Sequence, residues 1–158
     1  MKTAIIYYSY DGNTAFAAEA IRAATGADIY EIKTVDTKKR TGLWKIIWGG
    51  FQVIRNKMPP LEPLSVDLKD YDNIILGTPV WAGSPAPAMV SFLSNTKISG
   101  KKIAMFCCHA GGKGEIFNKL KALLSGNKFA GEIDFKNISK ENSAALPAKI
   151  DEWINKLR

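Results

Sequence analysis

Apolar runs and helix-like stripes alternate along the chain. Residues 3–8, 73–78 and 102–108 are almost continuously apolar, and weaker runs occupy 28–33 and 131–136. A strand with one solvated face alternates apolar and polar residues, whereas a strand covered on both faces is apolar throughout. The pattern therefore predicts five strands, of which the middle ones are buried on both sides.

Residues at helical spacing separate these strands. The first helical stripe is closed by Gly26, which is predicted as its C-terminal cap because glycine readily adopts the left-handed conformation found there. The predicted buried positions of the four helices are Ala17, Ala20, Ile21 and Ala24; Pro85, Met89, Phe92 and Leu93; Ile116, Leu120, Leu123 and Leu124; and Leu146, Ile150, Trp153, Ile154 and Leu157.

Strands that alternate with helices indicate βαβ units and a parallel sheet. Five strands in 158 residues predict an α/β fold, a doubly wound three-layer sandwich with a five-stranded parallel sheet, in a single domain over 1–158. Ligands of such sheets bind beyond the carboxyl ends of the strands, where the strand order reverses. The loops that follow the strands are therefore the first place to look for a site.

Three of these loops have unusual compositions. They are 9–14 (SYDGNT) after the first strand, 78–87 (TPVWAGSPAP) after the third and 109–115 (HAGGKGE) after the fourth. The carboxyl ends of parallel strands lie at one edge of the sheet, so we expect the three loops to converge on one ligand.

The first loop has the composition of an anion site. A helix begins there, and its free N–H groups favour a phosphate, with Ser9, Asn13 and Thr14 as additional donors. The loop holds no lysine or arginine, so neutral groups would do the binding. The alternative is an ordinary strand–helix turn that is capped by an Asn or Asp side chain.

The second and third loops offer an aromatic ring and flexible backbone. Trp81 lies on a loop stiffened by prolines, where it would cover the face of a planar ligand; alternatively it packs in the core beneath the loop. The glycines of the third loop allow backbone to approach a ligand closely. His109 in that loop either touches the ligand or faces solvent.

These loops resemble those of the flavodoxin-like flavoproteins. The family's T/S-x-T-G-N-T loop is similar to SYDGNT, with Asp11 where a hydroxyl residue is usual, and GTPVWAGSPAP is similar to its second, flavin-flanking loop. The resemblance extends over nearly the whole chain and implies a short-chain member with strand order 2-1-3-4-5 and flavin mononucleotide (FMN) as cofactor. It implies phosphate binding by Ser9, Asp11, Gly12, Asn13 and Thr14, and ring contacts from Thr78, Pro79, Val80, Trp81 and Ala82 on one side and His109, Ala110, Gly111 and Gly112 on the other.

One segment of the chain carries most of the net positive charge. The net charge is +7, yet residues 33–57 carry seven bases and one acid and so account for six of these charges. A nucleic-acid partner is therefore not expected from the overall charge, although the segment would attract an acidic partner or a phosphate-rich surface.

The same segment contains an aromatic stripe in 43–57, where Trp44, Ile47, Trp48 and Phe51 fall on one side of a helix. We expect this to be the second helix of the sandwich; a dimer surface, a lid over the ligand and a membrane-surface patch are the alternatives.

Cysteine usage and hydropathy indicate the compartment. Cys107 and Cys108 are adjacent, cannot easily staple distant segments, and are predicted to be buried strand thiols in a reducing cytoplasm. A redox role for these thiols is the alternative. No apolar run approaches the roughly 20 residues of a membrane helix, and residues 1–10 read as a strand rather than a signal peptide.

The sequence is compatible with three functions. The first is an FMN-binding electron-transfer protein that docks with redox partner proteins, and the second is an NAD(P)H-dependent quinone or flavin reductase. The third is a basic binding module that has lost its flavin. A metal hydrolase or a serine hydrolase is disfavoured, because the chain has one histidine and lacks HExxH and GxSxG.

Overall fold

The computed structural model describes residues 1–35, 58–139 and 143–157. The strands in this part of the chain are β1 (Thr3–Tyr7), β2 (Asp28–Glu31), β3 (Asn73–Trp81), β4 (Ser84–Pro85), β5 (Lys102–His109) and β6 (Lys128–Lys136). The helices are α1 (Asn13–Thr25), α2 (Pro87–Asn95), α3 (Ile116–Leu123) and α4 (Leu146–Leu157), with a short 3-10 turn at Leu68–Asp70. The predicted helix at 43–57 lies outside the described residues.

Five strands form a parallel sheet in the order β2-β1-β3-β5-β6. The two-residue strand β4 pairs only with the end of β3, in antiparallel fashion. Counted without β4, the order is 2-1-3-4-5, so the predicted α/β fold and strand order are confirmed. The chain reverses its direction of winding between β1 and β3, which places the switch point at their carboxyl ends.

Each face of the sheet has its own hydrophobic core. On one face, Ile6, Leu76 and Met105 pack with residues of α2 and α3, including Met89 and Leu120. On the other face, the residues packed with α1 and α4 are Ile5, Ile75, Phe106, Ala17, Ile21, Ile150 and Trp153. Side chains alternate between the faces of a strand, and both sets are buried, so the central strands are covered on both sides as predicted.

Most predicted helix positions are buried, and Ala20, Ile154 and Leu157 are half-buried against the core. Ala24 and Leu123 are exposed, and they lie in the last two residues of their helices. Pro85 is not helical: it lies in β4, and α2 begins at Pro87. Gly26 does cap α1, with φ of 68° and its N–H bonded to the Arg22 carbonyl at 2.8 Å.

None of the helices in the described ranges is long and apolar enough to span a bilayer.

Candidate functional site

The three loops singled out in the sequence follow three neighbouring strands. β1, β3 and β5 are adjacent in the sheet, so their carboxyl ends deliver the loops side by side. The Tyr10 ring of the first loop lies 5.4 Å from the Trp81 ring of the second, between centroids. Gly83 of the second loop touches Gly114 of the third. The expected convergence of the loops is therefore present.

The first loop is a tight turn into α1. Gly12, the residue before the helix, has φ of 98°, a left-handed conformation that glycine tolerates and other residues rarely adopt. The Ser9 Oγ accepts a hydrogen bond from the Gly12 N–H at 3.1 Å, and Asp11 Oδ1 has a longer contact of 3.4 Å with the Asn13 N–H. The first intrahelical bond runs from the Phe16 N–H to the Gly12 carbonyl.

The start of α1 has features that favour an anion. First-turn amides have no carbonyl one turn behind them, and their partial positive charge favours an anion. The Thr14 side chain is fully buried, and its Oγ1 has no hydrogen-bond partner among the described residues. The Cys108 thiol lies beside it, but a thiol is a weak hydrogen-bonding group, so the hydroxyl lacks a strong partner. A buried hydroxyl without a partner at the start of a helix fits a site that an acceptor such as a phosphate oxygen would complete.

The second loop is a hairpin. Val80 and Trp81 of β3 pair with Pro85 and Ser84 of β4. Ala82 and Gly83 form the turn between them with φ of 49° and 68°, the positive values that a type I′ turn requires. The buried Thr78 hydroxyl secures the base of the hairpin, since it accepts from the Ala86 N–H at 3.1 Å and donates to the Pro79 carbonyl at 3.0 Å.

Trp81 is partly buried and partly open. It packs on the core next to Tyr8 and Tyr10, and both tyrosine rings meet it edge to face, at centroid distances of 6.3 Å and 5.4 Å. Neither of the two predicted positions describes it fully, because the ring rests on core residues and also reaches the surface. Pro79 and Val80 are half-buried beside it, and Ala82 is exposed at the tip.

The third loop begins at a fixed histidine. The His109 side chain is only 6% exposed, and its Nε2 lies 3.0 Å from Asp134 Oδ2 on β6. The solvent-facing alternative is therefore wrong. The Nδ1 of the same ring is buried and has no hydrogen-bond partner within residues 1–35, 58–139 and 143–157. Ala110, Gly111 and Gly112 follow on the exposed surface.

Asp134 ties the third loop to the sheet. Besides His109, it contacts Lys113 of the loop, with Nζ 3.2 Å from its Oδ1. The His109 hydrogen bond, opposed by partial burial and supported by Lys113, lowers the pKa of the Asp134 carboxyl. An ionised carboxylate thus anchors both ends of the segment 109–113.

The two cysteines are buried thiols, as predicted. Cys107 and Cys108 are free and lie in β5, one facing each core. Burial raises the pKa of Cys108 to about 12, and it also raises the pKa of Cys107. Thiols so strongly protonated are poor nucleophiles, which disfavours the alternative of a redox role.

Sequence reasoning missed several residues that shape the site. They are Tyr8, Tyr10, Gly83, Gly114, Lys113, Lys119 and Asp134. Asp134 could have been found from the sequence. Glu132 and Asp134 alternate in the predicted strand 131–136, so their side chains share one polar face of it. The contact between Gly83 and Gly114 joins residues 31 positions apart in the chain, and no local pattern reveals it.

The fold and the site together define a class. This is a doubly wound α/β protein in which the turn before α1 and an aromatic hairpin lie side by side at the switch point of the sheet. The chain belongs to the flavodoxin family, whose model matches residues 2–157. No curated protein is a match for this chain.

Solved structures share the fold. The chain is similar to a flavoprotein from Lactobacillus acidophilus NCFM solved in complex with FMN, with 24% identity, a TM-score of 0.73, and coverage of 97% of this chain and 98% of that one. A candidate flavoprotein from Bacteroides uniformis ATCC 8492 gives 22% identity, a TM-score of 0.81, and 98% and 97% coverage. Rubredoxin oxygen:oxidoreductase from the anaerobe Desulfovibrio gigas gives 16% identity and a TM-score of 0.63, with 99% of this chain matching 35% of that one.

Proposed function

We propose that this protein binds FMN at the carboxyl edge of its sheet and carries electrons between redox partner proteins. The observation that carries the proposal is the contact between Tyr10 and Trp81, which puts the turn before α1 and a half-exposed aromatic ring next to each other. An aromatic phosphate ester with a large planar ring has both of the groups that these two features recognise.

The phosphate would be held by the first loop. The backbone amides at the start of α1 and the side chains of Ser9, Asn13 and Thr14 supply neutral donors, and the orphaned Thr14 hydroxyl fits this use. Gly12, with φ of 98°, allows the tight turn that leads into these amides. Asp11 is exposed. When a phosphate binds, a phosphate oxygen would replace Asp11 at the Asn13 N–H, or the Asp11 carboxylate would stay beside the bound phosphate.

The ring would lie between the second and third loops. Trp81 and the residues beside it, Pro79, Val80 and Ala82, would cover one side, and Ala110, Gly111 and Gly112 would leave room on the other. Thr78 would act through the backbone, because its hydroxyl is committed to the hairpin. His109 would meet the ligand through the ring nitrogen that Asp134 leaves free. FMN supplies one- and two-electron transfer when it is bound.

Electron carriage is favoured over a reductase by the absence of a recognisable nicotinamide-binding motif in this sequence. The glycines of the third loop complete neither GxGxxG nor GxxxxGKS/T, so the chain has no recognisable motif for a nicotinamide nucleotide. The aromatic residues of 43–57 keep an NAD(P)H-dependent quinone or flavin reductase as the second candidate, since such an enzyme needs a walled pocket for its substrate. The excess of positive charge in 33–57 favours partners with acidic docking surfaces. Buried free thiols suit a cytoplasmic location.

An anaerobic reduction experiment tests both parts of the proposal. The protein is first titrated with FMN, and the loaded protein is then mixed with NADH or NADPH while the flavin absorbance is followed. We expect tight FMN binding and slow bleaching by the nicotinamides, with rapid bleaching by dithionite or by an added reductase. Rapid bleaching by NADH or NADPH would favour the reductase, and failure to bind FMN would overturn the proposal.

A further inference from the structure

The aromatic hairpin is held by a lysine from a different element. Lys119 lies in the middle of α3, and its Nζ is 2.5 Å from the Ser84 Oγ and 3.4 Å from the Gly83 carbonyl oxygen. Both acceptors belong to the hairpin, at and beside its turn. A single ammonium group therefore joins the tip of the second loop to the helix that follows the third loop.

The position of this anchor relates it to Trp81. Ser84 is the residue that faces Trp81 across the short β3–β4 ladder. Neighbouring residues of a ladder move together because the backbone hydrogen bonds fix their separation. The lysine thus acts on the residue that pairs with the tryptophan in the ladder.

A backbone contact fixes the hairpin on its other side. A Cβ added to Gly114 would lie 2.7 Å from the Gly83 Cα and 3.1 Å from the Gly83 carbonyl oxygen, closer than real Cβ atoms come. Gly83 and Gly114 have φ of 68° and 55°, a conformation that glycine adopts with less strain than other residues. The second and third loops therefore meet with their main chains in contact, and Lys119 crosses the junction.

We infer that Lys119 is a positioning residue, which holds the Trp81 hairpin against the third loop and so sets the width of the slot for the flavin ring. The inference rests on the proposed function, since it assigns the slot to a flavin. It differs from a general stabilising role, because the ammonium group is bonded to the turn that carries the ring-covering residues. The other lysine of α3, Lys121, pairs with Glu132 on β6 and secures the helix to the sheet instead.

Substitution of Lys119 by methionine tests this role. Methionine keeps most of the apolar stem and removes the hydrogen bonds. We expect the Kd values for FMN and for riboflavin to rise together by roughly fivefold to tenfold, as for the loss of one charge-assisted hydrogen bond. The Kd for inorganic phosphate should stay unchanged, because the first loop is not touched.

Riboflavin carries no phosphate, so its binding separates the loss of the hairpin anchor from the loss of a positive charge. Lys119→Met also removes a positive charge. If that charge acted on the ligand directly, its loss would weaken the binding of FMN and of inorganic phosphate and would leave riboflavin unaffected. Lys128→Met is the matched control, since it makes the same charge change on an exposed side chain at the far end of β6. A loss for FMN without a loss for riboflavin, or equal losses in the Lys119 and Lys128 variants, would overturn the inference.

A double-mutant cycle tests the partner. Ser84→Ala removes one acceptor and leaves the Gly83 carbonyl, so we expect a smaller loss of flavin affinity than for Lys119→Met. The double variant should bind no more weakly than Lys119→Met alone, because both changes break the same contact. Fully additive losses would contradict the inference. If Lys119→Met does not fold, Lys119→Gln, which retains a shorter donor, is measured in the same way.

The cofactor-free protein gives an independent readout. Trp81 emission is isolated by subtracting the spectrum of Trp81→Phe, and its quenching by acrylamide is compared in the parent and in Lys119→Met. We expect stronger quenching in the variant, because a released hairpin exposes the indole. Unchanged quenching would overturn the inference. If the parent protein binds neither FMN nor riboflavin, the proposed function fails, whereas the quenching comparison still tests the anchor.

Discussion

The Tyr10 ring meets the Trp81 indole edge to face, with centroids 5.4 Å apart and planes inclined by 81°. Tyr10 belongs to the turn before α1, and Trp81 to the hairpin after β3. An edge-to-face contact of this kind contributes about 0.5–1.5 kcal/mol beyond the area it buries. The contact therefore couples the place where a phosphate would bind to the place where a ring would stack.

Replacement of Trp81 by alanine should loosen FMN far more than inorganic phosphate. The ring face is lost, whereas the amides at the start of α1 remain. We expect the FMN Kd to rise about tenfold or more, which corresponds to roughly 1.4 kcal/mol, and the phosphate Kd to change less than twofold. Fluorescence titration with FMN and competition by phosphate measure the two constants.

Trp81→Phe is the control for this experiment, because it retains an aromatic ring on the hairpin. It should keep most of the affinity. Equal weakening of FMN and phosphate in Trp81→Ala would contradict the stacking role and would indicate that the whole edge of the sheet had moved.

Replacement of Asn13 by alanine should have the opposite selectivity. Asn13 begins α1 and is half-buried at the first loop, so its amide would contact the phosphate and not the ring. We expect the ratio of riboflavin Kd to FMN Kd to fall about fivefold, with riboflavin binding itself unchanged. Asn118→Ala, on the exposed face of α3, is the control. An unchanged ratio in Asn13→Ala would count against a phosphate contact.

The bond between His109 and Asp134 predicts a pH dependence of stability. This bond lowers the pKa of Asp134 in the folded protein, so the folded state favours the ionised carboxylate. The stabilisation is therefore fully present above the ordinary carboxyl pKa of 3.8 and is lost as the pH falls through the lower, folded-state value. Asp134→Asn should lower the free energy of unfolding by about 1 kcal/mol at pH 7.

Urea unfolding at several pH values measures this effect. The difference between the parent and Asp134→Asn should be present at pH 5 and above and should shrink below pH 4. Asp151→Asn, which removes an exposed carboxylate on α4, is the control for net charge. A difference that persists undiminished at low pH would show that the variant acts through packing and not through the carboxylate.

The sequence predicted most of the fold because the fold rests on local patterns. The apolar runs of β1, β3 and β5, the helical stripe of α4 and the Gly26 cap all follow from the residues of one segment. The strand–helix alternation then allowed few topologies. The sequence also located the three loops, because their polar and glycine residues directly follow the strands.

The finer structure of the site depended on contacts that no segment contains. Pro85 was placed in a helix because it stands at helical spacing from Met89, but the turn at Ala82 and Gly83 brings it back onto β3. The anchoring of that turn by Lys119 depends on how α3 packs, which is a tertiary property. The individual FMN contacts of the three loops therefore stay predictions.

The two thiols of β5 should be unreactive in the folded protein. Cys107 and Cys108 are buried on opposite faces of the sheet, and burial raises the pKa of both, that of Cys108 to about 12. At pH 8 almost no thiolate is present, and the sulfur atoms are not exposed to a reagent. A disulfide-exchange reagent such as 5,5′-dithiobis(2-nitrobenzoic acid) should therefore release less than about 0.1 equivalent of chromophore from the native protein in the time that a free thiol reacts fully. The protein in guanidinium chloride should release about two equivalents, as the sequence requires.

Cys107→Ser and Cys108→Ser, each measured in the same way, assign any residual reactivity to one thiol. Rapid reaction of the native protein at either position would show that β5 opens to solvent, and it would restore the alternative of a redox role for these cysteines.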